Sequence, residues 1–534
     1  MRTISGYTKS YKGKPHVLER EGSLEFAGGM ELDELREACG VFGVFDPSGE
    51  VGDLRQVVLM SALAQQHRGQ DSAGLSVVID GEIRTFAQPG LVDALDRTGI
   101  ADLGEGATIA SSHVRYGTAR SDNAEGFVQP IVIGNDERTF GTIAHNGHLQ
   151  SEVLQLAGSE YVDNTTDTER IAELLRQSAS EHGSLIPAIN EVLPKIKDGA
   201  FSFVLTTPNE LIAVRDPYGF RPLVMGERRT SEGVAYAFAS ETVGLEPYGF
   251  QYVRDVEPGE MVIVDESGDR STFPFGHKSI EQRHLCSLEH IYFSDPTSEI
   301  DGVPVQVYRR ELGKALARQD LERYGDNFAD VVFGVPDSGL PAAYGYAEEL
   351  GLPIVMGVSR NRYKGRTFIE GTQAERVAAV AQKHKGLRGD LSGRRVVGID
   401  DSWIRGTTGA GIVRTARAAG ASEIHMRSTA PMYIASCFMG IETGDREQLM
   451  AHKFNSDLEA MRRATSETAG TQLTSLDFLD LDTMVDILDR GKRDPSYAVG
   501  SIATGICTSC FTGEYPIDIY KYMDPEEVPV ELRR

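Results

Sequence analysis

The stretch 394–419 constrains the fold of this chain more than any other. R-R-V-V-G-I-D-D at 394–401 is an apolar run that ends in two carboxylates, a Gly/Thr-rich turn follows, and 409–419 has the pattern of a helix. The same succession occurs earlier, where V-V-F-G-V at 331–335 precedes a Gly/Pro turn and a helical pattern at 341–350. Strand, loop and helix repeated in this way predict a parallel α/β sheet, whose binding sites lie at the carboxyl ends of the strands.

The residues before this region have a different pattern. Short apolar runs separated by Gly-rich turns predict an α+β domain that is rich in strands. The runs are C-G-V-F-G-V-F at 39–45, Leu75–Ile79, Thr108–Ser112, Gly141–His145 and Phe201–Thr206.

The length of the chain, 534 residues, is enough for two large domains. The changes of pattern divide it into four segments. We predict a leader at 1–38, an α+β domain at 39–270, an α/β domain at 271–490 and a C-terminal tail at 491–534.

Charge and hydropathy exclude several classes of function. Acidic residues outnumber basic ones by 79 to 54, and the net charge of −25 argues against non-specific binding to nucleic acid or anionic lipid. No apolar run approaches the roughly 18 residues that a membrane span requires. The leader has no apolar core of a secretory signal, so we expect a cytoplasmic protein.

The two carboxylates that end the second predicted strand, Asp400 and Asp401, enter a loop rich in glycine and threonine. They can hold a hydrated Mg²⁺ or ribose hydroxyls, while the N–H groups and hydroxyls of residues 402–408 suit a phosphate at the start of a helix. The alternative is a strand that merely ends in an acidic turn. The loop predicts a diphosphate site.

Cys39 opens the first strand of the α+β domain, directly after the leader. Removal of the leader would give this cysteine an α-amino group with a pKa of ~8, which can act as the base for its own thiol. Taken alone the signal is weak, because a single cysteine in a buried strand is more often a core thiol.

Several downstream segments place Arg, Asn and Gly where we expect turns at strand ends, so that their side chains and N–H groups can converge. The segments are H-R-G-Q-D-S-A-G at 67–74, H-V-R-Y-G-T-A at 113–119 and H-N-G at 145–147, and two more, D-T-E at 167–169 and R-D-P-Y-G-F-R-P-L at 215–223, accompany them. With C-G-V-F-G at 39–43 they resemble the glutaminase domain of the N-terminal-nucleophile amidotransferases, which implies a four-layer αββα fold.

The resemblance implies a role for each of four residues besides Cys39 as nucleophile. Arg115 would pair with the α-carboxylate of glutamine and Asp167 with its α-ammonium group. Asn146 and the N–H of Gly147 would form the oxyanion hole. The alternatives are a surface ion pair for Arg115 and a hairpin turn for Asn146–Gly147, since Asn-Gly is a strong turn signal.

The loop at 400–408 resembles the phosphoribosylpyrophosphate motif of type I phosphoribosyltransferases. V-P-D-S-G at 335–339 and N-R-Y-K-G-R-T-F-I at 361–369 narrow the resemblance to the glutamine phosphoribosylpyrophosphate amidotransferase family of purine synthesis. It implies one Mg²⁺ per subunit near Ser338, Asp400 and Asp401. It also implies a set of residues that bind phosphoribosylpyrophosphate: Asp400, Asp401, Ser402, Arg405, Gly406, Thr407, Thr408 and, on a flap, Arg362, Arg366 and Lys383. The alternative for these three flap cations is solvated surface charge.

Four cysteines remain after Cys39 is assigned, and four thiolates are what one [4Fe-4S] cluster takes. Cys507 and Cys510 form a C-x-x-C pair that alone fits Zn²⁺, redox chemistry or iron–sulfur equally. The surroundings of Cys286, Cys437 and this pair resemble the cluster-bearing branch of the family, which implies one cluster per subunit and a leader cleaved ahead of the nucleophile. Structural Zn²⁺ is the alternative.

The resemblance implies that ammonia from glutamine passes inside the protein to phosphoribosylpyrophosphate, giving phosphoribosylamine, glutamate and pyrophosphate. It further implies inhibition by purine nucleotides and a homotetramer. Two competing functions are a non-catalytic nucleotide-sensing regulator and an amidotransferase that aminates a sugar phosphate. The chain departs from the family pattern at Gly117 and Arg120, beside the glutamine pocket, and at Gly371–Gln373 in the flap.

Overall fold

The structure, a computed structural model, describes part of the chain in atomic detail. The described residues are 39–116, 128–149, 165–196, 198–276, 283–360, 384–441, 443, 446–490 and 505–519, together with the backbone of 7–9 and 491–493. Among these residues, no helix combines the length and the apolar character that crossing a membrane would demand.

The first half of the chain forms two antiparallel sheets. Its strands are β1 (Tyr7–Lys9), β2 (Gly40–Phe45), β3 (Ser72–Ile79), β4 (Glu82–Pro89), β5 (Ile109–Arg115), β6 (Ile131–Gly134), β7 (Thr139–Leu149), β8 (Gly199–Thr206), β9 (Leu211–Arg215), β10 (Val224–Thr230), β11 (Gly233–Ala239), β12 (Gln251–Asp255), β13 (Met261–Asp265) and β14 (Gly268–Thr272). One sheet has the order β1-β4-β3-β5-β2-β11-β10-β12 and the other β14-β13-β9-β8-β7-β6.

Helices cover the outer face of each sheet. They are α1 (Leu54–Ala64), α2 (Arg97–Ala101), α3 (Asp167–His182) and α4 (Leu185–Val192). The residues of β2 pack on both sides of the strand. Val41 and Phe45 pack in the core between the sheets, while Phe42 and Val44 pack with α1 on the outer face. Because successive side chains of a strand point to opposite faces, both faces of β2 are buried. The predicted αββα layers are confirmed.

The second half forms a parallel sheet with further small elements. Its strands are β15 (His284–Cys286), β16 (Glu299–Ile300), β17 (Val303–Pro304), β18 (Val331–Gly334), β19 (Val358–Arg360), β20 (His384–Gly386), β21 (Arg395–Asp400), β22 (Glu423–Ser428), β23 (Ser475–Phe478) and β24 (Gly505–Cys507). The parallel sheet has the order β18-β21-β22-β23.

The described part of this half also contains helices, some of which flank the two faces of the parallel sheet. They are α5 (Val305–Tyr324), α6 (Leu340–Leu350), α7 (Arg388–Leu391), α8 (Thr407–Ala418), α9 (Met450–Lys453), α10 (Leu458–Ala469), α11 (Leu481–Arg493) and α12 (Ser509–Thr512). Val397 and Ile399 pack with Leu312 of α5 on one face, whereas Val396 packs with Val413 of α8 on the other. The predicted α/β architecture is confirmed.

Candidate active sites

Cys39 lies half-buried immediately before β2. The guanidinium of Arg68, which is 1% exposed, donates from Nε to the carbonyl oxygen of Cys39 at 3.2 Å. In the pairing of β2 with β5, Gly40 stands opposite Val114. Cys39 is the residue immediately before β2, and Arg115 is the last residue of β5. Two candidate residues 76 positions apart in the sequence therefore each adjoin the last pair of this ladder.

Asn146 and Gly147 lie inside β7, paired with Ser202 and Phe201 of β8. The expectation that they occupy a strand-end turn is wrong, because the ladder with β8 continues past them to Leu149. Gly147 has a φ of +146°, and a Cβ there would stand 1.9 Å from the carbonyl oxygen of Ala200. Only glycine fits this position.

The side chain of Asn146 is linked through Ser240 to β2, the strand that follows Cys39. Its Nδ2 lies 3.5 Å from Ser240 Oγ, and the same Ser240 Oγ accepts the N–H of Val41 at 3.0 Å. Among the described residues, Oδ1 of Asn146 is buried and accepts no hydrogen bond. Ser240 thus connects the predicted oxyanion residue to the start of β2, a link that the sequence did not indicate.

Asp167 is the first residue of α3, which Thr166 and Glu169 start with a reciprocal capping box. Its carboxylate accepts the N–H of Leu149 at 3.0 Å and the N–H of Thr168 at 2.7 Å. Burial opposes ionisation of Asp167, but His145, His148 and these N–H groups outweigh it and lower its pKa. Asp167 is therefore an anion at neutral pH, close to the end of β7 that carries Gly147.

Asp400 and Asp401 are buried at the carboxyl end of β21. Asp401 accepts hydrogen bonds from Ser338 Oγ on the neighbouring strand's loop and from Ser402 Oγ at 2.6 Å. Burial raises the pKa of Asp401, opposed by the two serine hydroxyls and by Arg309. The structure therefore brings together Ser338 and Asp401, as the sequence predicted, and adds Arg309.

The loop after Asp401 leads into α8, which begins at Thr407 with Gly406 as its N-terminal cap and no side-chain cap. Its N-terminal N–H groups and partial positive charge form an anion site. The exposed Thr407 and half-buried Thr408 lie in this first turn. Arg405 donates from Nε to Gln448 Oε1 at 3.1 Å.

Trp403 differs from the other residues of this loop. Its indole is 2% exposed and packs in the core beside α8, with Nε1 3.3 Å from Met450 Sδ. A Cβ added at Gly409 would stand 2.2 Å from the ring, so the ring fills the space that this glycine leaves. Trp403 is therefore a core residue that packs beneath this loop.

The four remaining cysteines gather where the two halves of the chain meet. Cys286 of β15 stands opposite Cys507 of β24 in a parallel pair. Cys437 packs in the same apolar clusters as Cys286, Cys507 and Cys510. The main chain carbonyl of Cys510 accepts the N–H of Ile434 at 2.9 Å. None of the chain's five cysteines, all of which are described, is in a disulfide.

Burial raises the pKa of three of these thiols, that of Cys507 to about 11. The thiols of Cys437, Cys507 and Cys510 each interact electrostatically with neighbouring cysteines, and Arg221 opposes the rise at Cys286 and Cys507. Within the described part of the chain, no three His, Cys, Asp or Glu side chains form a group compact enough for a metal ion.

Several predicted residues lie outside the described residues. They are the flap cations Arg362, Arg366 and Lys383, the departures Gly117, Arg120 and Gly371–Gln373, and nearly all of the leader. Their roles stay predictions.

The two domains define the class of protein. The first domain is an αββα sandwich with a cysteine at its first core strand. The second is a parallel sheet whose strand ends carry two aspartates and a glycine- and threonine-rich loop that suits a phosphate. Together these domains define a two-domain glutamine amidotransferase. In agreement, residues 115–247 match the family model of a glutamine amidotransferase domain.

Comparisons with known proteins identify the family. The chain is 38% identical to the amidophosphoribosyltransferase of Bacillus subtilis over 92% of this chain and 96% of that protein. It is 37% identical to the amidophosphoribosyltransferase of Synechococcus elongatus over 93% and 94% of the two chains. A solved structure of the glutamine phosphoribosylpyrophosphate amidotransferase of B. subtilis, complexed with ADP and GMP, matches with a TM-score of 0.77 and 35% identity over 91% of this chain and 99% of that one.

The chain belongs to the amidophosphoribosyltransferase family. Its function is the glutamine-dependent amination of phosphoribosylpyrophosphate in purine biosynthesis. The competing interpretation as a nucleotide-sensing regulator is not favoured, because relatives of this name match nearly the whole chain.

Proposed function

We propose that Cys39 is the nucleophile that releases ammonia from glutamine. The thiolate attacks the amide carbon, the C–N bond breaks as ammonia takes up the thiol proton, and water then hydrolyses the thioester to glutamate. The observation that carries this proposal is the pairing of β2 with β5, because Cys39 and Arg115 each adjoin its last pair, Gly40 and Val114. An arginine at this place suits the α-carboxylate of the substrate.

The other polar groups fit the two remaining needs of the reaction. Asp167, kept ionised by its surroundings, would hold the α-ammonium group of glutamine. Asn146 Nδ2 and the N–H of Gly147 would donate to the oxyanion of the tetrahedral intermediate, where one donor contributes about 3 kcal/mol. The bond between Asn146 and Ser240 supports this role, since it fixes Asn146 relative to β2.

The second half-reaction is proposed to take place at residues 400–408. Ammonia that has passed inside the protein attacks C1 of phosphoribosylpyrophosphate, the bond from C1 to pyrophosphate breaks, and one proton leaves the new amine. The start of α8 would bind the 5-phosphate, with Ser402, Arg405, Gly406, Thr407 and Thr408 around it.

A Mg²⁺ ion fits the carboxyl end of β21. Asp400, Asp401 and Ser338 would hold it, and it would neutralise the charge that builds on the departing pyrophosphate. Two buried carboxylates support the proposal, because burial raises the pKa of Asp401 and a cation would favour its ionised form. A complete protein cage is not required, since Mg²⁺ usually keeps several waters and binds substrate phosphates.

The four thiols of Cys286, Cys437, Cys507 and Cys510 are proposed to hold a [4Fe-4S] cluster. Their shared apolar surroundings, and Arg221 as a positive charge nearby, suit thiolate ligands. In the described part of the chain the four thiols are neighbours, but they do not form a group compact enough for a single metal ion. A cluster of four irons is larger than one ion and takes ligands that lie further apart. Iron and acid-labile sulfide in anaerobically purified protein test this, and stoichiometric zinc would overturn it.

Three further features are proposed from the family. The leader at 1–38 would be cleaved to give Cys39 its α-amino group, the subunits would form a homotetramer, and purine nucleotides would inhibit. The relative from B. subtilis crystallised with ADP and GMP supports nucleotide binding. Intact mass under native and denaturing conditions tests cleavage and subunit number, and a chain that retains the leader in active protein would contradict the first.

The test of the whole proposal is a pair of variants, Cys39→Ala and Asp400→Asn. Pyrophosphate release is measured with phosphoribosylpyrophosphate, Mg²⁺ and either glutamine or ammonium. Cys39→Ala should lose release with glutamine and keep release with ammonium. Asp400→Asn should lose both but still hydrolyse glutamine. Glutamine-dependent release by Cys39→Ala would overturn the assignment of the nucleophile.

A further inference from the structure

A π-helix at Glu289–Phe293 follows Cys286 closely and carries a buried carboxylate. Glu289 is 0% exposed, and both of its oxygens accept from the Nη atoms of Arg68 at 2.9 to 3.0 Å. Arg221 Nη1 also donates to it at 3.2 Å, and Ser294 Oγ donates at 3.1 Å. π-helical turns are frequent at functional sites because they place side chains that a regular helix would not.

The guanidinium of Arg68 has all three of its nitrogens in use. Nε donates to the carbonyl oxygen of Cys39 at 3.2 Å. Nη1 donates to Glu241 Oε1 at 2.6 Å and to Glu289, and Nη2 donates to Glu289 alone. Since the guanidinium is planar and rigid, the two carboxylates fix the direction in which Nε points.

The charges of this buried group balance. Two arginines, Arg68 and Arg221, face two glutamates, Glu241 and Glu289, all within 0 to 1% exposure. Burial would raise the pKa of each glutamate, but His67 and Arg68 outweigh it at Glu241, and Arg68 and Arg221 outweigh it at Glu289, so that both pKa values are lowered. Removing one carboxylate would leave a buried surplus of positive charge.

We infer that Glu289, which belongs to the second half of the chain, is a positioning residue for the nucleophile of the first half: it holds Arg68 so that Nε anchors the main chain of Cys39. This inference rests on the proposed role of Cys39. Glu289 would act through Arg68, to which both of its carboxylate oxygens are hydrogen-bonded. Its effect is on the orientation of the thiol, and a displacement of about 1 Å at a reacting group can lower a rate ~100-fold.

The experiment compares Glu289→Gln and Glu289→Asp with a matched control. Asp320→Asn is the control, because Asp320 is also a fully buried partner of an arginine, Arg427, at 2.5 Å. For each variant, kcat and KM for glutamine are measured, together with ammonia-dependent pyrophosphate release and the thermal unfolding midpoint.

Glu289→Gln should lower glutamine-dependent kcat about 100-fold, with KM for glutamine and ammonia-dependent release within about twofold of the parent. Glu289→Asp should recover part of the kcat, since it keeps the charge. Asp320→Asn should lower the unfolding midpoint and leave the ratio of glutamine-dependent to ammonia-dependent release unchanged.

If Glu289→Gln lowers both activities by the same factor, Glu289 is structural only and the inference is wrong. Should that variant fail to fold, Ser294→Ala decides, because it removes one hydrogen bond to Glu289. It should lower the same ratio by a smaller factor, and an unchanged ratio overturns the inference. Cys39→Ala separates the two proposals: if it keeps glutamine-dependent release, the nucleophile is misassigned whatever Glu289 does.

Discussion

Gly440, close to Cys437 in the second half of the chain, packs directly against the backbone of Gly147 in the first. A Cβ at position 440 would stand 3.1 Å from the carbonyl carbon of Gly147 and 3.2 Å from the N of His148. Arg221 reinforces the contact, since its Nε donates to the carbonyl of Met439 at 3.0 Å. The segment that carries Cys437, a proposed cluster ligand, therefore packs against Gly147 of the proposed oxyanion hole.

Gly440→Ala should disturb the glutaminase site selectively. Gly440 has a φ of +86°, so alanine there costs about 1 kcal/mol in backbone strain, and the added methyl group also presses on Gly147. We expect glutamine-dependent release to fall at least severalfold relative to ammonia-dependent release. Gly470→Ala is the matched control, because Gly470 has a φ of +66° and nothing within 4 Å of its Cβ position. An equal ratio in both variants would mean that the contact does not matter.

Arg115→Lys should raise KM for glutamine. A lysine keeps the charge but loses the planar fork that pairs with a carboxylate through two parallel bonds. We expect an increase of roughly 10-fold or more, with ammonia-dependent release unchanged. Arg388→Lys, at an exposed arginine of α7, serves as the control. A loss confined to kcat, with KM intact, would contradict the binding role of Arg115.

Ser338→Ala should weaken the phosphoribosyl site alone. Ser338 Oγ donates a hydrogen bond to the buried carboxylate of Asp401. Without this hydrogen bond, the carboxylate is held less firmly in one orientation. Glutamine-dependent and ammonia-dependent pyrophosphate release should fall together, with a higher Mg²⁺ concentration needed for half-maximal rate. Hydrolysis of glutamine in the absence of phosphoribosylpyrophosphate should stay unchanged. A selective loss of the glutamine-dependent reaction would be incompatible with this role.

His425 should make the protein less stable in mild acid. Burial, followed by Arg427 and Arg395, lowers its pKa to about 4, whereas an unfolded histidine titrates near ~6.5. The unfolded chain therefore gains a proton first, and stability is lost as the pH falls from about 6.5 toward 4. His425→Gln removes this contribution. Between pH 7 and pH 5 the free energy of unfolding should therefore fall less for the variant than for the parent, by up to about 2 kcal/mol. Urea unfolding at both pH values measures this, and parallel curves for parent and variant would refute it.

The sequence predicted the elements that rest on local patterns. The apolar runs of β2, β18 and β21 are strands because both of their faces are buried, and the helices at 340–350 and 407–418 lie within a few residues of the patterns at 341–350 and 409–419. Asn146–Gly147 was misplaced for the same reason. The pair is a turn signal over short range, but pairing with β8, more than 50 residues later, keeps it in a strand.

The network around Arg68 could not be predicted from the sequence. Arg68 and Glu289 are 221 positions apart, and Arg68 and Glu241 are 173 apart. Each residue lies in an ordinary segment, and only the packing of the two halves brings the charges together. Trp403 lies in the loop at 400–408, but long-range packing places its indole in the core, which the local sequence does not indicate.

The π-helix that carries Glu289 limits how far this protein can be treated as two exchangeable modules. Through Glu289, this helix accepts hydrogen bonds from Arg68 of the glutaminase half. The carbonyls of His290 and Ser294 accept from Arg309 at 2.8 and 2.7 Å, and Arg309 interacts with Asp401. A chimera that joined this glutaminase half to a foreign partner near residue 270 would leave two buried arginines with Glu241 as their remaining glutamate, a cost of several kcal/mol. A junction placed after residue 298, which keeps Glu289 together with the glutaminase half, should therefore be tolerated better than a junction near residue 270.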